Sequence, residues 1–182
     1  MNWYDIFKFL HTAAAVCWVG GGAVLMYSGI LAGRARDEDT QMNVINITAS
    51  LATVWFIPAS LGTVILGAIT ATLGNAWGDA WVILGLLGFA ATFVTGNFFI
   101  RPTADAIAHA EKSGNRRVAV ANGARLLQVS KFDYVMLFTV IADMVLKPQW
   151  SDTVLLAIMA IVLVIGAVLF LLPAMRQPAV TA

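Results

Sequence analysis

Long apolar runs separated by short polar segments dominate the chain, and they predict five membrane-spanning helices. Each run approaches the roughly 20 residues that an α-helix needs to cross a bilayer. The predicted spans cover residues 3–31, 45–73, 80–100, 132–146 and 154–172. We therefore expect an all-α membrane protein with a single transmembrane domain over residues 1–182. Its four core helices lie within residues 3–150, and a peripheral fifth helix covers residues 153–173.

The fourth run is too short to cross a bilayer alone, but the segment before it extends the helix. Residues 118–129 are mostly apolar and join this run, whereas Ser113-Gly114-Asn115 has the composition of a turn. The pattern therefore predicts a long α-hairpin that projects beyond the membrane. Pro58 and Pro102 are expected to kink their helices without ending them. Gly74-Asn75 is expected to close the second helix, and Ser151-Asp152-Thr153 to supply an N-cap for the fifth.

Composition excludes several classes of protein. Apolar residues make up 60% of the chain and charged residues 12%, against about 25% charged in a soluble domain. The net charge is +1 and no basic run exceeds Arg116-Arg117, which argues against a nucleic-acid partner. The one cysteine, Cys17, excludes an internal disulfide and is expected to be a small buried hydrophobe. The expected partner is the lipid bilayer.

The distribution of lysine and arginine predicts the orientation of the chain. With five spans, nine of the eleven basic residues fall in the first and third loops and at the C-terminal end. Lys8 and Lys147 fall on the other side. The positive-inside rule places the N-terminus outside and the C-terminus in the cytoplasm of a bacterial inner membrane.

Helix faces that are built from small residues, or that carry no polar residue, indicate contacts with other helices or with lipid. Ala59, Thr63, Gly67 and Ala71 recur every four residues along the second helix, which makes a seam for close packing. The fifth helix has no polar side chain over residues 154–172 and suits contact with lipid. These features predict a homodimer or a larger membrane complex.

Polar residues within the spans are the candidates for function, because ionisable groups are costly in a membrane. In the first helix Asp5, Lys8, His11 and Trp18 are spaced by 3, 3 and 7 residues and share one face. In the fourth helix Asp143 and Lys147 lie near the outer end. The topology predicts that Lys8, His11, Asp143 and Lys147 share one depth in the outer leaflet, with His11 within reach of Asp143.

Three interpretations of this layer remain open. His11 can bind haem b iron or copper, with Asp143 orienting its ring and Met144 or Met136 as a soft second ligand. The layer can instead transfer protons or ions. It can also be structural, with Asp143 neutralised by Lys147 and His11 donating a hydrogen bond between helices, in which case no cofactor is bound. His109 is expected to be an exposed histidine without a role, and no catalytic residue is assigned.

Several short motifs resemble a known family. They are Phe9-Leu10-His11, Trp18-Val-Gly-Gly, Pro58 with Gly62 and Gly67, and Met144-Val-Leu-Lys147-Pro148. Together they are similar to a family of bacterial integral membrane proteins that carries a domain-of-unknown-function name. That family looks related to the copper-resistance CopD proteins and to HemJ-type protoporphyrinogen oxidases. The likeness covers about residues 3–150.

The resemblance implies a four-helix membrane core with a cofactor at its first helix. In the HemJ-like branch a histidine in the outer part of this helix belongs to the haem or porphyrin site, and His11 is the matching position. The CopD-like branch implies copper passage instead. Because His11 is the one histidine within the predicted spans, haem bound by two histidines would need a dimer; otherwise methionine is the second ligand.

Overall fold

The computed structural model describes residues 2–34, 40, 43–44, 47 and 50–176, and every regular element in this part of the chain is helical. Residues 40, 43–44, 47 and 50–51 are helical too, and the elements with described bounds follow in chain order. They are α1 (Trp3–Arg34), π1 (Ala52–Phe56), α2 (Ile57–Leu73), α3 (Ala80–Thr95), π2 (Gly96–Ile100), α4 (Arg101–Lys112), α5 (Arg116–Leu146), α6 (Thr153–Gly166), π3 (Ala167–Leu171) and α7 (Leu172–Arg176). The all-α prediction is confirmed. The expected start of the second span at residue 45 lies outside the described residues.

Within the described residues, four helical stretches are long and apolar enough to cross a membrane. They are Trp3–Leu31, Thr53–Leu73, Ala80–Lys112 and Thr153–Arg176. Helix α5 is 31 residues long, but its apolar part is interrupted by charged and amide side chains, such as Arg125, Lys131 and Asp133. Four of the five predicted spans are therefore supported by length and hydropathy, and the crossing of α5 stays a prediction.

The described chain forms two compact units, residues 1–86 and 87–182, and the boundary falls within α3. In the first unit α1 packs against π1 and α2. Thr63, Thr70 and Ala71 of α2 are buried, so the small-residue seam predicted for this helix is a packing face. Cys17 is half-buried rather than buried, and its backbone oxygen accepts a hydrogen bond from Trp55 Nε1 at 3.2 Å.

The second unit is built on the predicted α-hairpin. Helix α4 ends at Lys112, Gly114 adopts a φ of +71°, and α5 begins at Arg116. Ala110, Val118 and Ala119 are buried beside this turn, with Ile107 packed against them. The turn predicted at Ser113-Gly114-Asn115 is thus confirmed, because glycine supplies the left-handed backbone that reverses the chain.

Two predicted helix ends lie where they are expected, but the left-handed residue at one and the hydrogen bond at the other differ from the prediction. Helix α2 ends at Leu73, yet the left-handed residue is Asn75 (φ +50°), whereas Gly74 keeps a φ of −88°. Asp152 is the N-cap of α6 without a capping hydrogen bond. Its carboxylate instead accepts the backbone N–H of Gln149 at 2.8 Å, because the tight 149–152 turn brings that donor closer.

Each π-helical turn ends two residues before a proline: Pro58, Pro102 and Pro173 respectively. Proline lacks an N–H and its ring crowds the carbonyl four residues earlier. Widening the preceding turn relieves that crowding, as the bonds from Arg101 to Gly96 and from Leu172 to Ala167 show, each spanning five residues. The helix from Ala80 to Lys112 continues through Pro102. The helices are therefore irregular at Pro58 and Pro102 through π turns, and the predicted kinks stay predictions.

The last helices pack along α5 in the second unit. Gly166 lies against Val135, and Lys131 Nζ sits 5.9 Å from the centre of the Phe170 ring. The other sides of α6 and π3 expose large apolar residues, including Val154, Ile161, Val164 and Leu169. A helix with this surface is suited to lipid contact, as the sequence predicts.

Candidate functional site

The α1–α2 seam holds the candidate histidine. Tyr4, His11 and Trp18 recur every seven residues, which keeps them on one face of α1. Three contacts define the seam: the Tyr4 ring lies on Gly74, His11 on Gly67, and the Trp18 ring 6.3 Å from that of Phe56. Because glycine has no side chain, the two helices approach closely where these rings insert.

His11 is fixed to α2 by a hydrogen bond. Its Nδ1 lies 2.8 Å from the backbone oxygen of Thr63. A carbonyl oxygen has two lone pairs, so it can accept from the imidazole as well as from its own helix. The helical partner of Thr63 is Gly67, and the absence of a side chain there leaves room for the ring. We call His11, Thr63 and Gly67 the His11 site.

This hydrogen bond sets the tautomer of His11. A carbonyl accepts and cannot donate, so Nδ1 carries the hydrogen. Nε2 then carries the lone pair, and it makes no hydrogen bond within the described residues. Histidines that bind metals donate their other ring N–H to a carbonyl or carboxylate in this way. The arrangement leaves one oriented nitrogen that can accept a proton or bind a metal.

The predicted polar face of α1 is only partly turned toward α2. Trp18 is buried and His11 half-buried, whereas Asp5 and Lys8 are exposed. Each interval of three residues changes the direction of the side chain around the helix by about 60°. Asp5 and Lys8 therefore point away from the seam. Lys8 Nζ instead lies 5.7 Å from the centre of the Tyr4 ring, within the range of a cation–π contact.

The remaining predicted site residues lie at the end of α5, in the second unit. Asp143 is 1% exposed and Met144 half-buried. Lys147 terminates the helix in the left-handed conformation (φ 48°), and its backbone N–H donates to the Asp143 carbonyl at 2.8 Å. The predicted pairing of His11 with Asp143, the second-ligand role of Met144 and the shared layer with Lys8 would join the two units, and they stay predictions.

Two site residues gained a role that their sequence pattern had not assigned. In the sequence, Thr63 and Gly67 are members of a small-residue seam. In the structure the backbone oxygen of Thr63 accepts a hydrogen bond from His11, and Gly67 packs against the His11 ring. The seven-residue interval from Tyr4 through His11 to Trp18 is the signal that could have placed His11 opposite this seam. His109 is exposed on α4, as expected.

Comparison with known proteins supplies a family. The family model described as predicted integral membrane protein (DUF2269) matches residues 5–148. No match is found among curated proteins or among solved structures. The matched segment contains the His11 site and all of α5 and stops before α6, in agreement with the predicted likeness over residues 3–150. With its apolar helices embedded in a lipid bilayer, the chain belongs to this DUF2269 family of integral membrane proteins.

Proposed function

We propose that this protein binds haem through Nε2 of His11 and acts as a redox or accessory protein of the bacterial inner membrane. The observation that carries the proposal is the 2.8 Å contact between His11 Nδ1 and the Thr63 carbonyl oxygen. It fixes the ring in the tautomer that a metal requires and orients the free nitrogen.

Haem suits this site better than copper does. A porphyrin supplies four of the ligands of its iron, so one oriented imidazole from the protein would be enough to hold haem. Copper sites draw two or three ligands from the protein, whereas His11 supplies one. A second protein ligand would come from His11 of a second copy in a homodimer.

The residues around His11 fit a ligand held from one side. Gly67 and Thr63 fill the space against one edge of the imidazole, which prevents the ring from turning away. Lys8 is exposed one turn toward the N-terminal end of α1. In this proposal its ammonium group would pair with a haem propionate, and bound haem would supply the electron-transfer chemistry.

The absorption spectrum of the purified protein tests the proposal. Protein extracted in mild detergent is expected to show a Soret band and to contain iron by metal analysis. His11→Ala removes the ligand and should lose the band, whereas His109→Ala, which changes an exposed histidine, should keep it. A colourless, metal-free wild-type protein would favour a structural subunit, and a Soret band that survives in His11→Ala would exclude His11 as the ligand.

We also propose five spans, with the N-terminus outside and the C-terminus in the cytoplasm. Helix α5 decides this topology. Charged residues in the middle of its sequence lower its hydropathy, so it is not among the four described stretches that qualify as membrane spans. If α5 crosses the membrane, the C-terminus lies inside; if it does not, the last span carries the C-terminus outside.

Reporter fusions measure this directly. A periplasmic reporter inserted after Asn75 is expected to be active, and the same reporter after Gly114 should be inactive. A C-terminal fluorescent fusion should glow in the cytoplasm. A C-terminal reporter that is active only in the periplasm would contradict the crossing of α5.

A further inference from the structure

Two buried carboxyl groups lie on α5, in the second unit. Asp143 is 1% exposed and Asp133 9% exposed. Neither oxygen of Asp143, nor Oδ1 of Asp133, has a hydrogen-bond partner in the described part of the chain. Buried polar groups are nearly always paired, so a carboxyl group without a partner points to a ligand that the protein chain itself does not supply.

Both carboxyl groups belong to one face of α5. Asp133, Met136, Val140 and Asp143 follow at intervals of 3, 4 and 3 residues, which is the spacing of a helix face. Val140 packs so closely on Gly88 that a Cβ there would overlap it. Val140, on this face, is therefore turned toward α3, and the two carboxyl groups are separated by about 15 Å along the helix axis and about 80° around it.

The opposing face carries hydroxyl groups. Thr92 and Thr95 follow Gly88 at intervals of four and three residues, and both are buried. Each hydroxyl donates to a carbonyl of its own helix, Thr92 to Phe89 and Thr95 to Ala91, both at 2.9 Å. A hydroxyl that donates in this way keeps its lone pairs for a water molecule.

The antiparallel register brings these groups to similar levels. Gly88 lies against Val140, so Thr95, seven residues after Gly88, falls near the level of Asp133, seven residues before Val140. Further along, Thr103 continues the hydroxyl row on α4, and Arg125 continues the polar row on α5. Polar groups thus follow one interface from the outer end of α5 toward the hairpin.

A proton is the cation that suits this arrangement. Sodium or a divalent ion needs several oxygen ligands that converge on one point, whereas carboxyl groups about 15 Å apart cannot share an ion. A proton needs a single oxygen. An ionised carboxylate without a partner is costly in an apolar interior, so protonation satisfies Asp133 and Asp143 where they stand.

We propose that this face of α5 conducts protons, with Asp143 as the outer and Asp133 as the inner carrier and water molecules between them. In each step the O–H bond of a carboxylic acid breaks as a new O–H bond forms on the neighbouring water. The water passes one of its protons onward, and the carboxylate is reprotonated from the other side. No redox change is involved, and the pathway does not depend on haem at His11.

Proton flux into vesicles tests the proposal. The protein is reconstituted into liposomes that contain a pH-sensitive dye, and potassium with valinomycin sets the membrane potential. Flux is expected to fall to the level of protein-free liposomes in both Asp143→Asn and Asp133→Asn. The matched control Asp105→Asn, which changes an exposed carboxylate of α4, should keep the wild-type flux.

A second measurement uses wild-type protein and does not depend on the folding of the variants. Dicyclohexylcarbodiimide reacts with protonated carboxyl groups in apolar surroundings, and mass spectrometry locates the modified residue. Modification at Asp133 or Asp143 that abolishes flux would support the pathway. Wild-type flux equal to that of protein-free liposomes, full flux in either asparagine variant, or undiminished flux after complete modification would overturn it.

Discussion

Replacing Gly67 with alanine is expected to destabilise the protein by about 1–3 kcal/mol, the range of an overpacked core, and to abolish the haem binding that we propose. A Cβ at this position would lie 2.9 Å from Cε1 and 3.0 Å from Nδ1 of His11. Atoms cannot remain that close, so either the ring moves or the helices separate. Either response breaks the hydrogen bond to Thr63 and removes the orientation of Nε2.

Gly62 supplies the matched control on the same helix. A Cβ there would lie 3.8 Å from Ala14, an ordinary contact, so Gly62→Ala should be neutral or stabilise α2 by about 0.5–1 kcal/mol through helix propensity. Thermal unfolding in detergent measures both effects. In a His11→Ala background Gly67→Ala should cost much less, because the clashing ring is gone. Equal costs in both backgrounds would show that the contact does not exist.

The second large effect is expected for Gly88→Ala in the second unit, at the upper end of the same range of about 1–3 kcal/mol. Its Cβ would overlap Cγ2 of Val140. Valine is branched at Cβ and has few rotamers in a helix, so the side chain cannot simply swing away. The α3–α5 interface has to widen, and its buried threonine and aspartate residues become exposed.

A double variant and a control separate packing from helix propensity. Val140→Ala removes the overlapping methyl groups, so Gly88→Ala should cost little when added to it. Gly123→Ala changes a glycine of α5 with nothing within 4 Å of the added Cβ and should leave the unfolding temperature unchanged or raised. A Gly88→Ala protein as stable as Gly123→Ala would mean that α3 and α5 do not meet at Val140.

Hydropathy was sufficient to predict most of the helices, because apolar runs of membrane length have few alternatives to helical structure. It was less decisive for α5, where Arg125 and Lys131 interrupt the run although the helix continues from Arg116 to Leu146. The turn at Gly114 was predictable from three residues that each favour a turn. The left-handed residue at Asn75 was not, because Gly74 beside it is the better candidate by propensity.

The candidate site was predictable in its central residue and not in its partners. His11 can be identified from the sequence alone, because placing a polar side chain within an apolar span costs free energy. Its observed partner is a backbone carbonyl, that of Thr63, and backbone atoms carry no sequence signal. Side-chain partners such as Asp143 can be counted along the sequence, and so can the possibility of an interhelical hydrogen bond from His11, but not the particular carbonyl that Gly67 leaves accessible.

The π turns have a consequence for how each helix presents its two halves. A π turn takes in one residue more than an α turn, so the part of the helix beyond it is rotated by about 100° relative to an uninterrupted α-helix. The buried Thr95 lies before π2 and the buried Thr103 after it. The π turn before Pro102 therefore rotates the second part of the helix so that its buried residues align with the buried residues of the first part. For this reason sequence periodicity in these helices has to be counted separately on each side of a proline.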